Sequence, residues 1–228
     1  MHDLYKLAYT PWEWHEPIMK HASSRNLLCF SSPFDESAVD FLETLDVPAY
    51  KIASFECIDL PLIKKAASTK KPLIISTGMA SIVEIGDAVE AARGAGCENL
   101  VLLKCTSTYP ASPENTNLNT IVHMRELFDC EVGLSDHTLG IGAAIAAIAV
   151  GATVIEKHFT LSRSDGGVDS AFSLEPNEMK ALALECERAF QALGEIRYGP
   201  TEAEEDARSR RRSLYIGEDM KAGEIFTP

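Results

Sequence analysis

Six times between residues 27 and 160, a short apolar run ends in hydroxyl or charged residues and gives way to helical spacing. The runs are LLCFSSP (27–33), AYKIAS (49–54), PLIISTG (72–78), NLVLLKCTS (99–107), CEVGLSD (130–136) and TVIEKHF (153–159). Their helices read over 36–45, 60–69, 81–96, 119–128, the Ala/Ile run from 141, and 177–194, with a further helical stretch at 12–25 interrupted by Pro17. The apolar runs are nearly continuous rather than alternating, which marks parallel strands covered on their outer face. A parallel neighbour needs a crossover of a dozen or more residues, and this spacing supplies one each time. Polar residues at the C-terminal end of almost every strand favour an α/β TIM (β/α)8 barrel, in which many strands feed one site. By this count the barrel is two strands short, and a six-strand open sheet is the alternative that periodicity alone leaves. No GxGxxG follows any strand, so a dinucleotide fold has no support.

Beyond Gly194 the character changes. Residues 199–213 are polar and charged, and SLYIGEDMKAGEIFTP has a strand-like piece and a glycine turn. The reading is therefore a barrel domain over 1–196, a linker over 197–212 and the start of a small domain over 213–228. Thirty-four acidic residues against 21 basic ones give a net charge of −13, the opposite of a nucleic-acid footprint. An anionic substrate would need a local cluster of Lys, Ser, Thr and backbone N–H against that field. The six cysteines show no CxxC spacing, which suits buried thiols in a reducing cytoplasm. There is no run of about 18 apolar residues and no basic-then-apolar leader, so neither a membrane span nor a signal peptide is expected.

Chemistry concentrates at the strand ends. Side chains alternate along a strand, so Ser135 and His137 share a side, as do Glu156 and His158. On parallel neighbours the two imidazoles stand side by side, a pair suited to Mn, Fe, Co or Zn. The plain alternative is two hydrogen-bonded core histidines. Glu156 reads as a ligand or acid/base partner, or as a carboxylate paired with a lysine. Asp136 reads as a cap for the next helix. A second cluster has the composition of an anion site: Lys51, Ser54, Ser32, Ser76, Thr77, Gly78, Lys104, Thr106, Ser107 and Thr108. Hydroxyls and free N–H groups at strand ends bind phosphate or carboxylate, although each taken singly is also an ordinary helix cap. Phe34, Phe55 and Tyr109 beside them read as wall packing. The loop SRSDGGVDSAFSLEP (162–176) follows directly, and its Asp165 and Asp169 suit sugar hydroxyls or a lid.

The runs FSSPFDESAVDFLETLDVPAYKIAS, KPLIISTGM, LLKCTSTYPA, VGLSDHT and IEKHFT together resemble the sialic acid synthase family, which includes N-acetylneuraminate, legionaminate and pseudaminate synthases. The stretch DGGVDSAFSLEP is most similar to the pseudaminate branch. That resemblance implies a TIM barrel followed by a small antifreeze-like (SAF) domain, and a homodimer when full length. It implies condensation of phosphoenolpyruvate with an open-chain N-acylated amino sugar of the 2,4-diacetamido-2,4,6-trideoxy-altrose type, releasing phosphate, with a divalent metal such as Mn2+ (or Mg2+ or Co2+). By motif, His137 and His158 are similar to the metal ligands and Glu156 to the acid/base carboxylate. Lys51, Ser54, Ser76 and Ser32 are similar to phosphoenolpyruvate ligands; Ser135 and Ser107 to further substrate contacts; Glu56, Tyr109 and Asp169 to sugar-side contacts. Two positions depart from the pattern: Ser107, where sialate synthases often carry Asn, and Ser32, where Thr is common. Family members also begin with two further strands bearing a Glu, a Lys and a Gln, and end with the complete small domain bearing an Arg. On this reading the chain is an internal fragment, inactive by itself. A metal-dependent aldolase on the same barrel and a non-catalytic phosphosugar-binding protein are the other two classes.

Overall fold

A computed structural model describes residues 9–215 and 217–225. The chain divides into two units, with the break after Leu193.

Among the described residues the first unit is built on five parallel strands: β1 (Tyr50–Ile52), β2 (Leu73–Ser76), β3 (Leu100–Cys105), β4 (Glu131–Asp136) and β5 (Ile155–Lys157). They pair in chain order, β1-β2-β3-β4-β5, as a curled, open sheet. Strand order that never reverses leaves no doubly-wound switch point. The helices are α1 (Trp12–Ser24), α2 (Glu36–Thr44), α3 (Leu60–Ser68), α4 (Ile82–Gly94), α5 (Asn119–Phe128), α6 (Gly142–Ala149) and α7 (Pro176–Leu193).

Local chemistry starts several of these helices. Asp35 accepts the Ala38 N–H at 2.8 Å and Asp59 accepts the Leu62 N–H at 3.1 Å, each satisfying a donor that has no partner within the helix. Ser81 and Glu84 close a reciprocal capping box ahead of α4. Pro17 is carried inside α1, which buries none of its residues, so a carbonyl that loses its backbone donor there is not shut away from solvent.

The register fixes which side chains share a face. Leu102 pairs with Val132, and Lys104 pairs with Leu134. Leu102, Val132 and Leu134 join Tyr50, Ile52, Leu73 and Ile75 in one buried core with Ile63, Ala66, Ala88, Ile121 and Ala147 of the helices. Those positions form the helix-covered face. The opposite face carries Lys51, Ser76, Leu103, Cys105, Gly133, Ser135 and Glu156, as the pairings Lys51↔Ile74, Ser76↔Leu103, Cys105↔Ser135 and Ser135↔Glu156 require. Its tips are polar and its body is not.

Two expectations need correction. Six strand–helix units were expected and five strands are found among the described residues, because residues 27–33 adopt no regular structure and pair with no described strand. A strand exists only where its N–H and C=O groups meet a ladder, and Leu28 is left 83% exposed. Lys104 was grouped with the anion-binding residues, but the register turns it to the helix side. There its ammonium donates to the Cys105 carbonyl at 2.8 Å, and burial pulls its pKa down.

The second unit, from Gly194, has a short turn of helix over Glu202–Glu204 and α8 (Glu205–Arg208), opened by a Thr201–Glu204 capping box. Ser213, Leu214 and Tyr215 form no strand. Residues 216 and 226–228, part of the tail expected to begin a small domain, lie outside the described residues. No helix among the described residues is long and apolar enough to cross a membrane.

Candidate active site

The inner face of the sheet gathers most of the expected residues. Lys51 sits mid-strand on β1 with its side chain only 10% exposed, and its Nζ lies 3.3 Å from Glu156 Oε2. The other carboxylate oxygen, Oε1, accepts the Ser135 hydroxyl at 2.7 Å. Ser135 and Glu156 are register partners on β4 and β5, so the ladder itself aims the hydroxyl at the carboxylate. Glu156 keeps 42% of its side chain exposed, open to a substrate from above. A cation and a hydroxyl on the two oxygens hold this carboxylate in one orientation.

Beyond the strand ends stand the two histidines. Their ring centroids are 5.2 Å apart at 71°. His137 Nδ1 lies 2.9 Å from the Thr106 carbonyl; a carbonyl only accepts, so Nδ1 carries the proton and Nε2 presents a lone pair. Cys105 Sγ is also near, at 3.9 Å, but the shorter carbonyl contact sets the tautomer. His158 Nδ1 faces Asp169 Oδ2 at 3.6 Å. Backbone runs on either side of the histidines are tied to neighbouring loops: the His137 carbonyl accepts from Ala111 N–H and the His158 carbonyl from Leu174 N–H.

The two rings are electrostatically unlike. Burial favours neutral His137, but Cys105, the Thr106 carbonyl and Glu156 outweigh it and raise its pKa above the ordinary value. Burial and the neighbouring His137 hold His158 below the ordinary value, against Asp169 and Glu156. Burial likewise opposes ionisation of Cys105, yet hydrogen bonds from His137, Ser54 and Ser107 prevail and bring its pKa down to about 7.

A two-histidine metal site fits these donors. Each ring turns Nδ1 toward an oxygen of its own surroundings, the arrangement that orients metal-binding imidazoles, and leaves Nε2 free. Among the described residues no group of three or more His, Cys, Asp or Glu is placed to hold a metal.

The anion cluster is partly assembled. Ser54 Oγ accepts the Gly78 N–H at 3.1 Å. A Cβ on Gly78 would stand 2.1 Å from Ser107 Oγ and 2.8 Å from Ser54 Oγ, so glycine is what lets those two hydroxyls converge on the β2 tip. Ser76 Oγ is buried and has no hydrogen-bond partner among the described residues. Glu56 follows Ser54 in a single turn of 3-10 helix, with a buried Oε2 that lacks a partner. Burial raises its pKa, partly offset by Lys51. Ser32 stands apart, half-buried in the irregular stretch ahead of Asp35 and tied to none of these groups by a described hydrogen bond.

Tyr109, read first as wall packing or a sugar contact, lies against His137 with ring centroids 4.2 Å apart, and 46% of it is exposed. Asp169 and Ser173 come from the 162–176 loop, where the Asp169 carbonyl accepts the Ser173 hydroxyl at 2.7 Å. Asp165 is exposed in the same loop, with no described ion pair.

Two residues escaped the sequence reading. Cys105 passed for an ordinary buried thiol, although alternation from Leu103 places it on the Ser135 face once the register is known. Phe172, buried, meets His158 at 5.0 Å and Tyr109 at 5.8 Å; nothing in loop spacing signals it. Asp136, expected to cap the next helix, does not: the N-cap of α6 is Ile141, with no side-chain cap bond, and Asp136 instead pairs with Lys157 on the helix side of the sheet.

A family model described as the NeuB family matches residues 1–198. The chain is 45% identical over 227 residues to a pseudaminic acid synthase of Campylobacter jejuni subsp. jejuni serotype O:2, covering all of this chain and 66% of that protein. To an N,N'-diacetyllegionaminic acid synthase of the same strain it is 40% identical over 216 residues, covering 93% of this chain and 65% of that protein. Among solved structures, an N-acetylneuraminic acid (sialic acid) synthetase from Leptospira borgpetersenii serovar Hardjo-bovis, in complex with citrate, superposes with a TM-score of 0.84 at 32% identity. That match covers 93% of this chain and 74% of the other. The chain spans about two thirds of the length of the curated relatives.

Proposed function

The chain belongs to the NeuB family, and from that membership we propose that the full-length protein condenses phosphoenolpyruvate with an open-chain N-acylated amino sugar, releasing phosphate. The observation that carries this reading is the Lys51–Glu156–Ser135 constellation on the face that also bears the two imidazoles. One patch thus holds a buried cation for an anion, a positioned carboxylate for proton transfer and a pair of imidazoles.

Lys51, Ser54, Ser76 and Ser107 hold the phosphate and carboxylate of phosphoenolpyruvate, the orphaned Ser76 hydroxyl gaining its partner there. Positioning of this kind supplies much of the rate in a two-substrate reaction. Nε2 of His137 and His158 would hold a divalent cation, Mn2+ by family resemblance with Mg2+ or Co2+ able to replace it, which supplies polarisation of the sugar aldehyde. The C3 carbon of phosphoenolpyruvate attacks the aldehyde carbon, and C2 takes on positive character. Water adds to C2 as Glu156 accepts its proton, and the oxygen of the former aldehyde takes up a proton to become a hydroxyl. The tetrahedral centre then expels inorganic phosphate by C–O cleavage, leaving a 2-keto acid. Tyr109, Glu56 and Asp169 face the sugar, while Ser32 stands at the margin of the site.

For the sugar we favour the 2,4-diacetamido-2,4,6-trideoxy-altrose type, hence pseudaminic acid as product. Its support is the DGGVDSAFSLEP stretch together with the 45% identity to the C. jejuni pseudaminic acid synthase. We take the sheet to be part of a (β/α)8 barrel over residues 1–196, joined by a 197–212 linker to an antifreeze-like domain beginning at 213, in a homodimer. Phosphoenolpyruvate as co-substrate puts the reaction in the cytoplasm.

The test is to supply the full-length protein with phosphoenolpyruvate, Mn2+ and each candidate sugar, and to follow phosphate and product mass together. Equal amounts of phosphate and a nine-carbon acid support the reading. Product without phosphate, from pyruvate, would identify an aldolase, and tight binding without turnover would identify a binding protein.

A further inference from the structure

On the far side of β4 and β5 from Glu156 lies an ion pair that the proposed chemistry does not use. Lys157 Nζ is 2.7 Å from Asp136 Oδ2, and the side chains are 2% and 0% exposed. The two residues are register partners, Asp136↔Lys157, so the pair bridges the ladder at its last rung. Each partner also reaches one residue further. Asp136 Oδ1 accepts the Thr138 N–H at 2.8 Å, and Lys157 donates to the Thr138 carbonyl. Both backbone groups of Thr138 are therefore held by this one pair.

We propose that Asp136 and Lys157 are positioning residues, a buried clamp that fixes the chain on either side of His137 and so sets the separation of the two imidazoles. His137 lies between Asp136 and Thr138, both of which the clamp holds. Lys157 lies between Glu156 and His158, so the same bridge locks the second strand tip to the first. The chain leaves the sheet at Asp136 and turns toward Gly140; without an anchor, the ring of His137 would swing on a free strand end. The Ala111 N–H to the His137 carbonyl and the Thr106 carbonyl to its ring then complete the fixation.

Stability alone is a poor reason for such a pair. Apolar residues of similar volume usually replace a buried ion pair without loss, whereas removing one partner is strongly destabilising. What an apolar pair cannot do is accept one backbone N–H and donate to the next carbonyl. Directionality is the property that distinguishes the two.

The clamp's bearing on metal affinity rests on the proposed function; its bearing on ring geometry does not. The test compares the full-length protein with the double variant Asp136→Leu/Lys157→Met, which removes both charges at similar volume. Three quantities are read: the thermal transition, the Nδ1–H signal of His137 by 1H–15N NMR without metal, and Mn2+ affinity by calorimetry. We expect a Tm within about 5 °C of the parent and loss of the Nδ1–H signal to solvent exchange. Mn2+ should bind about 10–100-fold more weakly, as when an outer support of a metal ligand is removed. Lys157→Met alone, with its stranded carboxylate, should melt well below the double variant. A double variant with parental Tm, an intact Nδ1–H signal and Mn2+ affinity within about threefold would overturn the proposal. Should the double variant not fold, Asp136→Asn, which keeps the volume, is read in the same way. An unchanged signal and affinity in that variant would equally overturn it. A parent that binds no Mn2+ contradicts the metal reading, and the imidazole signal still decides on the clamp.

Discussion

Glu156 is held by two different partners, Lys51 at 3.3 Å on one oxygen and Ser135 at 2.7 Å on the other, yet it remains open to substrate. Glu156→Gln preserves the shape and removes the ability to take a proton. We expect kcat to fall by about 100-fold or more, with the phosphoenolpyruvate dissociation constant within about threefold; steady-state kinetics with direct binding separates the two. A parental kcat would make this carboxylate structural. Glu56 gives a pH test. Burial raises its folded-state pKa above that of the unfolded chain, so its protonated form favours folding at low pH and stability is lost as pH rises through the raised value. Glu56→Gln should therefore raise Tm at neutral pH, with the gain vanishing below the ordinary carboxylate pKa. Thermal melts at several pH values check this, and a gain that does not depend on pH would refute it. At this scale the sequence was partly readable. Alternation alone put Ser135 with His137 and Glu156 with His158, because period two survives any tertiary context. The contact of Cys105 with His137 needs the β3–β4 register, and Phe172 arrives from a loop whose path no local rule dictates.

Elements place these residues through close approaches that only glycine permits. A Cβ at Gly133 would stand 2.1 Å from the Val154 carbonyl oxygen and 2.8 Å from Leu103 Cδ2. Backbone cannot give way as a flexible side chain does, so Gly133→Ala should push β5 from β4 at a cost of about 1–3 kcal/mol. That lowers Tm by roughly 5–10 °C and should also disturb the Ser135–Glu156 hydrogen bond; a melt unchanged by the substitution would contradict the packing. Gly78→Ala differs in kind, since its Cβ meets the serine hydroxyls of the anion cluster. There we expect phosphoenolpyruvate to bind about tenfold more weakly with little change in Tm, measured by calorimetry and thermal melts. Helix positions were legible from spacing and caps: residues 119–128 were expected as a helix and form α5, and Asp35 caps α2 as anticipated. Residues 27–33 were misread because apolar content describes a strand's side chains and says nothing about whether a ladder partner is present. Lys104 was misread because a polar residue near a strand tip was assigned to the site without its register, which turns it toward the helices.

For the whole molecule, the cadence of apolar strand and amphipathic helix was enough to expect a parallel α/β sheet with its chemistry at the C-terminal strand ends. The chain-order pairing of β1 to β5 and the helix-covered core against the sheet agree with the parallel-sheet part of that expectation. Periodicity left barrel and open sheet undivided, since both share the same repeating unit and differ only in closure. The net charge of −13 makes the buried Lys51 more telling: the anionic substrate we propose would be drawn by a local cation and local hydroxyls against the field of the whole. As proposed, this face joins phosphoenolpyruvate to an aldehyde with loss of phosphate by C–O cleavage. The most direct measurement supplies the full-length protein with phosphoenolpyruvate carrying 18O at its bridging enol-ester oxygen, Mn2+ and the open-chain diacetamido sugar. Mass spectrometry then locates the label. The account predicts all of the 18O in inorganic phosphate and an unlabelled nonulosonic acid whose C2 oxygen comes from water. Label retained in the sugar acid, or product formed with no phosphate released, would contradict it.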